Sequence, residues 1–160
     1  MIQKTYQLAS LITLAILIPS LFLGYTYFAD AQSIEQVYAQ VETIDQINPK
    51  FTKADITFTL NITNPTSRDI TDLSSTFDIY IEQNYIGTGS FANFSIPSQT
   101  NKFKQVTITV NYGGLADSAV DIIKNWVSGQ DSTLRIEGTM TASVLFGLTT
   151  ASHEYTATSE

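Results

Sequence analysis

The chain has no cysteine and a single histidine, and Asp, Glu, Lys and Arg make up only 14% of its 160 residues. Without a thiol there is no disulfide framework, no thiolate metal site and no cysteine nucleophile. A copper centre of the Cys-His-His type is excluded on the same ground. One imidazole, His153, leaves a serine nucleophile a single base to use, and no G-x-S-x-G turn accompanies it. The 8 Lys and Arg residues are scattered without a basic run, against 15 Asp and Glu and a formal net charge of -7. Nucleic acid is therefore disfavoured as a partner, because the positive footprint is missing.

One long apolar run and a hydroxyl-rich remainder stand in place of these features. Leu8 to Phe28 reads "LASLITLAILIPSLFLGYTYF", about 21 residues without a charge, enough at about 1.5 Å per residue to span the roughly 30 Å of a bilayer's hydrocarbon. Pro19 falls in its middle, tolerable in a membrane span where Ser20 can re-satisfy a freed carbonyl. Tyr25, Tyr27 and Phe28 sit where an interfacial aromatic belt belongs. Lys4 precedes the run, while Asp30, Glu35, Glu42 and Asp45 come after it, so the positive-inside bias puts the N-terminus in the cytoplasm.

The expectation is a single-pass cell-membrane protein. Residues 1–7 are cytoplasmic, 8–28 a transmembrane signal anchor, 29–32 a connector and 33–160 a domain outside the cytoplasm. A cleaved signal peptide competes, since Ala29-Asp30-Ala31 has the small residues a signal peptidase accepts. The run is longer than the roughly 7–15 apolar residues of such peptides, which favours the anchor.

Beyond the run the period is two. In "ADITFTLNITNP", Ile56, Phe58, Leu60 and Ile62 alternate with Thr57, Thr59, Asn61 and Thr63, the pattern of a strand with one buried face. It ends at Asn64-Pro65, because proline brings no ladder N–H and restricts the residue before it. Val37, Ala39 and Val41 mark an earlier strand. Phe77, Ile79 and Ile81 mark a later one, followed by a hairpin loop at Gln83 to Tyr85. "NYIGTGSFANFSI" continues, with Gly87 and Gly89 placed for a bulge or a close backbone approach.

After Pro97, Val106, Ile108 and Val110 alternate with threonines. The period then changes to helical through Leu115, Ala119, Ile122 and Trp126, opened by Gly113-Gly114 and closed by Gly129 as a cap. "STLRIEGTMTASV" resumes a strand, with Gly138 expected as a register break, and a last strand comes after Phe146-Gly147. About seven strands and one amphipathic helix give an all-β antiparallel sandwich.

The order of Asn64-Pro65, "YIEQNYIGTG" from Tyr80 to Gly89, Ile96-Pro97, a threonine-alternating strand, an amphipathic helix and a late "RIEGTMT" resembles the LEA type 2 family, which includes LEA14-like and water-stress-hypersensitive proteins. The resemblance covers roughly residues 33 to 157. It implies a fibronectin-like β-sandwich with one helix, a link to desiccation and other stress, and no catalytic residues.

No catalytic, cofactor-binding or metal-binding residues are assigned, and no cofactor is expected. Asp69 and Asp72 can be read as a calcium pair, but acidic residues in a solvated loop read better. Asp117 and Asp121 read as helix capping and dipole partners. His153 reads as solvent-facing. Two sequons, Asn61-Ile62-Thr63 and Asn93-Phe94-Ser95, make Asn61 and Asn93 candidate glycosylation sites.

The function expected is non-enzymatic: a membrane-tethered sandwich that protects under water stress. The alternative is a structural or accessory subunit docking on an exported face of a membrane or envelope complex. Its protein partners would be met through the anchor helix, with Ala9, Thr13 and Ser20 as small contact residues, or through sandwich edge strands. Sugar binding by tyrosine and amide side chains stays open.

Overall fold

The computed structural model describes residues 2–128, 130 and 132–159. A helix, α1 (Ile2–Glu35), leads into β1 (Tyr38–Pro49), β2 (Lys53–Asn64), β3 (Ile70–Ile81), β4 (Asn84–Ile96) and β5 (Thr100–Asn111). Then come α2 (Asp117–Val127), β6 (Leu134–Val144) and β7 (Thr149–Thr158). The strands make two antiparallel sheets, ordered β1-β2-β5 and β4-β3-β6-β7. The β-sandwich expected from the alternation is the fold observed.

The alternation becomes burial without exception along β2. Ala54, Ile56, Phe58, Leu60 and Ile62 are each 0% exposed, and each large one contributes about 1.5–3 kcal/mol by leaving water. The facing sheet supplies Leu73, Phe77, Ile79 and Ile81 from β3 and Leu134, Ile136 and Met140 from β6. Amphipathic α2 covers the far end with Ala119, Ile123 and Trp126.

Phe77 sits at the centre, its ring 6.3 Å from that of Phe58 and 6.4 Å from that of Phe91. Both of its cross-strand partners are glycine, Gly89 on β4 and Gly138 on β6. A Cβ on Gly89 would stand 2.4 Å from the Phe77 ring, and one on Gly138 would stand 2.5 Å from the Thr76 carbonyl oxygen. Gly138 is therefore no register break, as the ladder runs through it unshifted on both sides. It is a close approach to the β3 backbone at Thr76 and Phe77, while Gly89 leaves the space the aromatic ring needs.

Several boundaries differ from the sequence reading. The β3–β4 hairpin turns at Glu82 and Gln83, since Ile81 already pairs with Asn84, and Glu82 takes the left-handed φ of 57°. Tyr85 is thus within β4. Residues 29–32, expected as a connector, continue α1: they contain no helix breaker, and Ile34 one turn on is buried in the sandwich at 1% exposure. In α2 the N-cap is Ala116 with no side-chain cap, so Asp117 acts on the helix dipole alone. Gly129, expected as the closing cap, lies outside the described residues.

In α1 the Ser20 hydroxyl donates to the carbonyl of Ile16 at 2.8 Å, one residue beyond the Ala15 carbonyl that Pro19 leaves without its usual amide. Leu11, Ile16, Leu21, Phe22, Tyr25 and Phe28 are 58–68% exposed. Among the described residues α1 is one helix long and apolar enough to cross a membrane.

Candidate functional site

Three arrangements carry polar chemistry. The first is the outer face of the three-stranded sheet. The outward residues of β2 meet those of β1 and β5 side by side, because cross-strand partners in an antiparallel ladder lie within side-chain reach. Asp45 accepts hydrogen bonds from the hydroxyls of Thr43 and Thr59, both at 2.7 Å, and from the Gln105 amide at 3.1 Å. These donors, Thr43 foremost, hold its carboxyl below the usual carboxylate range.

Asp55 accepts from Lys50 Nζ at 2.5 Å and from Thr109 at 2.8 Å, and Lys50 beside it likewise lowers its pKa. Thr57 and Thr107 share a bond of 2.9 Å. The face is a mat of hydroxyls, amides and carboxylates bonded to one another.

Asn61 lies in this mat. Its side-chain amide donates to Glu42 at 3.1 Å and its carbonyl accepts from Asn101 at 3.0 Å. Asn93, the other sequon asparagine, is exposed on β4, between Phe91 and Phe94 where the register against β3 shifts, with φ at 55°. The nitrogen a glycan would occupy is therefore engaged at Asn61 and presented outward at Asn93.

The second arrangement is the loop hub at the α1 end, centred on a residue read from sequence only as half of a turn. The Asn64 side chain is 0% exposed. Its amide donates to the carbonyls of Arg68 at 2.7 Å and Pro97 at 3.1 Å, while its carbonyl accepts from the Thr66 amide at 3.1 Å and hydroxyl at 2.8 Å. One side chain thus ties the β2–β3 loop to the β4–β5 loop. The Asn-Pro dipeptide signalled the turn, but its partner 33 residues away left no local signal.

The third is the junction of α1 with the sandwich. Asp30 pairs with the Arg68 guanidinium and accepts the Leu145 amide at 2.8 Å. A cleft of about 470 Å³ lies alongside, lined in part by Thr26, Asp30, Arg68 and Phe146. His153, expected to face solvent, is half-buried here, its Nε2 2.8 Å from the Val37 carbonyl. A carbonyl only accepts, so Nε2 carries the proton and closes the two-residue link between α1 and β1. The sequence clues were an Asp right after an uncharged run and an Arg just past Asn-Pro.

The remaining acids stand apart. Asp69 accepts the Ser98 amide at 2.8 Å, Asp72 accepts the Ser143 hydroxyl at 3.2 Å, and Asp121 faces Lys124 at 3.6 Å. Among the described residues no group of three or more potential metal ligands converges. Openings over Gly138 and between β1 and β7 are lined by Glu, Gln, Thr, Ser, Tyr and apolar residues, without an imidazole. Burial pushes the Tyr155 phenol up to about 12, its bond of 3.0 Å to Ser75 offsetting part of that rise. It is a core hydroxyl.

The sequence model of the LEA_2 family, late embryogenesis abundant protein, matches residues 59–153, from mid-β2 to β7. The chain belongs to this family. The Asn64 hub, the Phe77 glycine pair and α2 all lie inside the match, whereas α1 and β1 precede it. Among solved structures, the LEA_2 chain is similar to AT1g01470 from Arabidopsis thaliana, at 15% identity, a TM-score of 0.52 and coverage of 76% of this chain and 80% of that one. It is also similar to a protein from Archaeoglobus fulgidus, at 12% identity, a TM-score of 0.36 and coverage of 80% and 98%. The first likeness shows a shared fold. No curated protein sequence matches the chain.

Proposed function

We propose that this LEA_2 protein is a non-enzymatic sandwich tethered to the cell membrane by α1, with its domain outside the cytoplasm, where it protects envelope components during water loss. The observation that carries the reading is the contrast between α1 and the sandwich. A helix with a long uncharged run, exposed along most of its length, leads into a domain whose polar groups satisfy one another rather than converge on a reactive centre. A core helix of a soluble protein would be buried, and this one is not.

The uncleaved anchor is supported at the junction itself. Cleavage after Ala31 would remove Asp30, which holds Arg68 and the Leu145 amide. It would also leave the core residue Ile34 close to a new terminus. A removed signal has no reason to make contacts of the mature fold.

The test is to reconstitute the full chain in vesicles with an added client enzyme, dry, rehydrate and assay. Greater recovery than with an inert membrane-anchored sandwich is expected. Equal recovery would remove the protective mechanism.

The Asp30 clamp also favours a second reading, an accessory subunit, because fixing a domain on its helix suits docking in a set orientation. Native purification in mild detergent followed by intact-mass analysis separates the two. Stoichiometric partners would favour the subunit, a lone full-length species the protector, and a mass beginning at Gln32 would replace the anchor by a cleaved signal.

A further inference from the structure

We infer that the β6–β7 turn, residues 145–148, is a second membrane contact: Phe146 and Leu148 insert into the interface of the bilayer that α1 spans. The inference rests on the reading of α1 as a membrane helix and goes beyond it. Three independent observations meet in this turn.

The first is height. The Leu145 amide donates to Asp30, and Phe146 lines the same cleft as Thr26. The turn therefore stands level with residues 26–30 of α1, where the apolar run ends and the exposed ring of Phe28 sits. That is the depth at which interfacial aromatic residues lie. A turn held beside that point reaches the same surface.

The second is exposure. Phe146 and Leu148 are 74% and 75% exposed, whereas Ile70 and Val144, which line the same cleft as Phe146, are buried. A bilayer interface is the apolar phase nearest to hand, contiguous with the one α1 already occupies.

The third is backbone conformation. Leu145, Phe146 and Gly147 have φ of 53°, 60° and 84°, and the Gly147 amide donates to the Val144 carbonyl at 3.1 Å. Two successive left-handed positions in a hairpin are the places where Asn-Gly is preferred, and large side chains are disfavoured there. This chain puts Leu and Phe in them. Strain retained in an exposed turn points to a use for the side chains themselves.

Charge narrows the partner. Arg68 at this end is already paired with Asp30, and Asp69 stands beside it. No free cationic cluster adjoins the turn among the described residues, so the contact is apolar insertion and needs no anionic headgroup.

Because the chain lacks cysteine, single spin labels can be placed cleanly on the full protein in phosphatidylcholine nanodiscs. Depth is then read from oxygen and nickel-chelate accessibility at Leu17→Cys, Phe28→Cys, Phe51→Cys and Phe146→Cys. The expected result is an oxygen-to-nickel ratio at 146 matching that at 28 and several-fold above that at 51. A solvent-like 146 with a lipid-like 17 overturns the second contact and leaves the span standing. A solvent-like 17 overturns both.

The paired substitution Leu145→Asn with Phe146→Gly guards against a folding artefact. It relieves the left-handed strain, so the melting temperature should hold or rise while a label at Leu148→Cys becomes solvent-like. A label at 148 that is solvent-like before the paired substitution, together with a fall in melting temperature after it, would mean that the turn serves packing alone and would overturn the second contact.

Discussion

At the end of the sandwich that meets α1, the loops are joined by side-chain amides, a carboxylate and a guanidinium: Asn64 bonds to two neighbouring loops, and Asp30 holds Arg68 and the Leu145 amide. At the far end, the corresponding gap between sheets is covered by Ile123 and Trp126 of α2, with no buried polar partner among them. The difference is one of tolerance. Apolar packing needs volume and accepts many shapes, whereas a buried hydrogen-bond hub needs one side chain with its donors and acceptors in place.

Emptying the far end should show the largest effect. Ile123→Ala is expected to cost about 3 kcal/mol through lost burial and the cavity left behind, read as a lowered urea midpoint. Ile123→Leu, which conserves volume, should cost under about 1.5 kcal/mol. The polar end should behave differently: Asn64→Ala is expected to cost about 2–3 kcal/mol by stranding the buried Thr66 amide and the part-buried carbonyls of Arg68 and Pro97, and Asn64→Leu should recover none of it. Recovery by leucine would erase the contrast between the ends.

Between them, Tyr155 offers a pH-dependent test. Its phenol is pushed up to about 12 by burial, while in the unfolded chain it ionises near 10. The stabilisation is therefore fully present below about pH 10 and is lost as pH rises through about 12, a change of about 2–3 kcal/mol. Tyr155→Phe should flatten this alkaline limb in pH-dependent unfolding curves.

The smallest expected effect lies on the outer face. Asp45 has its pKa lowered by Thr43, Thr59 and Gln105, so its stabilisation is present above the ordinary carboxylate pKa and is lost as pH falls through the lowered value. Thr59→Val should move the Asp45 titration upward, toward the ordinary range, in a carboxyl NMR experiment. Solvent screening keeps the effect on stability slight.

Period-two alternation made β2 and β3 legible because every second residue meets the core, and a change of period revealed α2 for the same reason. What the sequence hid were interactions across long separations. Gly138 read as a break because a glycine within a strand has no side chain to pack. Its purpose is set by Phe77, a neighbour only once β3 and β6 pair. The end of α1 was placed at Phe28 because polarity changes there, yet helix propensity does not, and Ser33 and Ile34 dock on the sandwich. The polar face was legible as threonines, but its cross-strand bonds required the register of three strands.

The link between α1 and β1 is only Gln36 and Val37, and His153 fastens the second of these. So short a link leaves the sandwich little freedom to bend on α1. The twelve residues of β1 measure roughly 40 Å at about 3.3 Å each, and just past their end Phe51 is 100% exposed. With α1 in a membrane, as proposed, that phenyl ring would be carried at a set height above the lipid, and anything it touched would be selected by its distance from the membrane as well as by its surface.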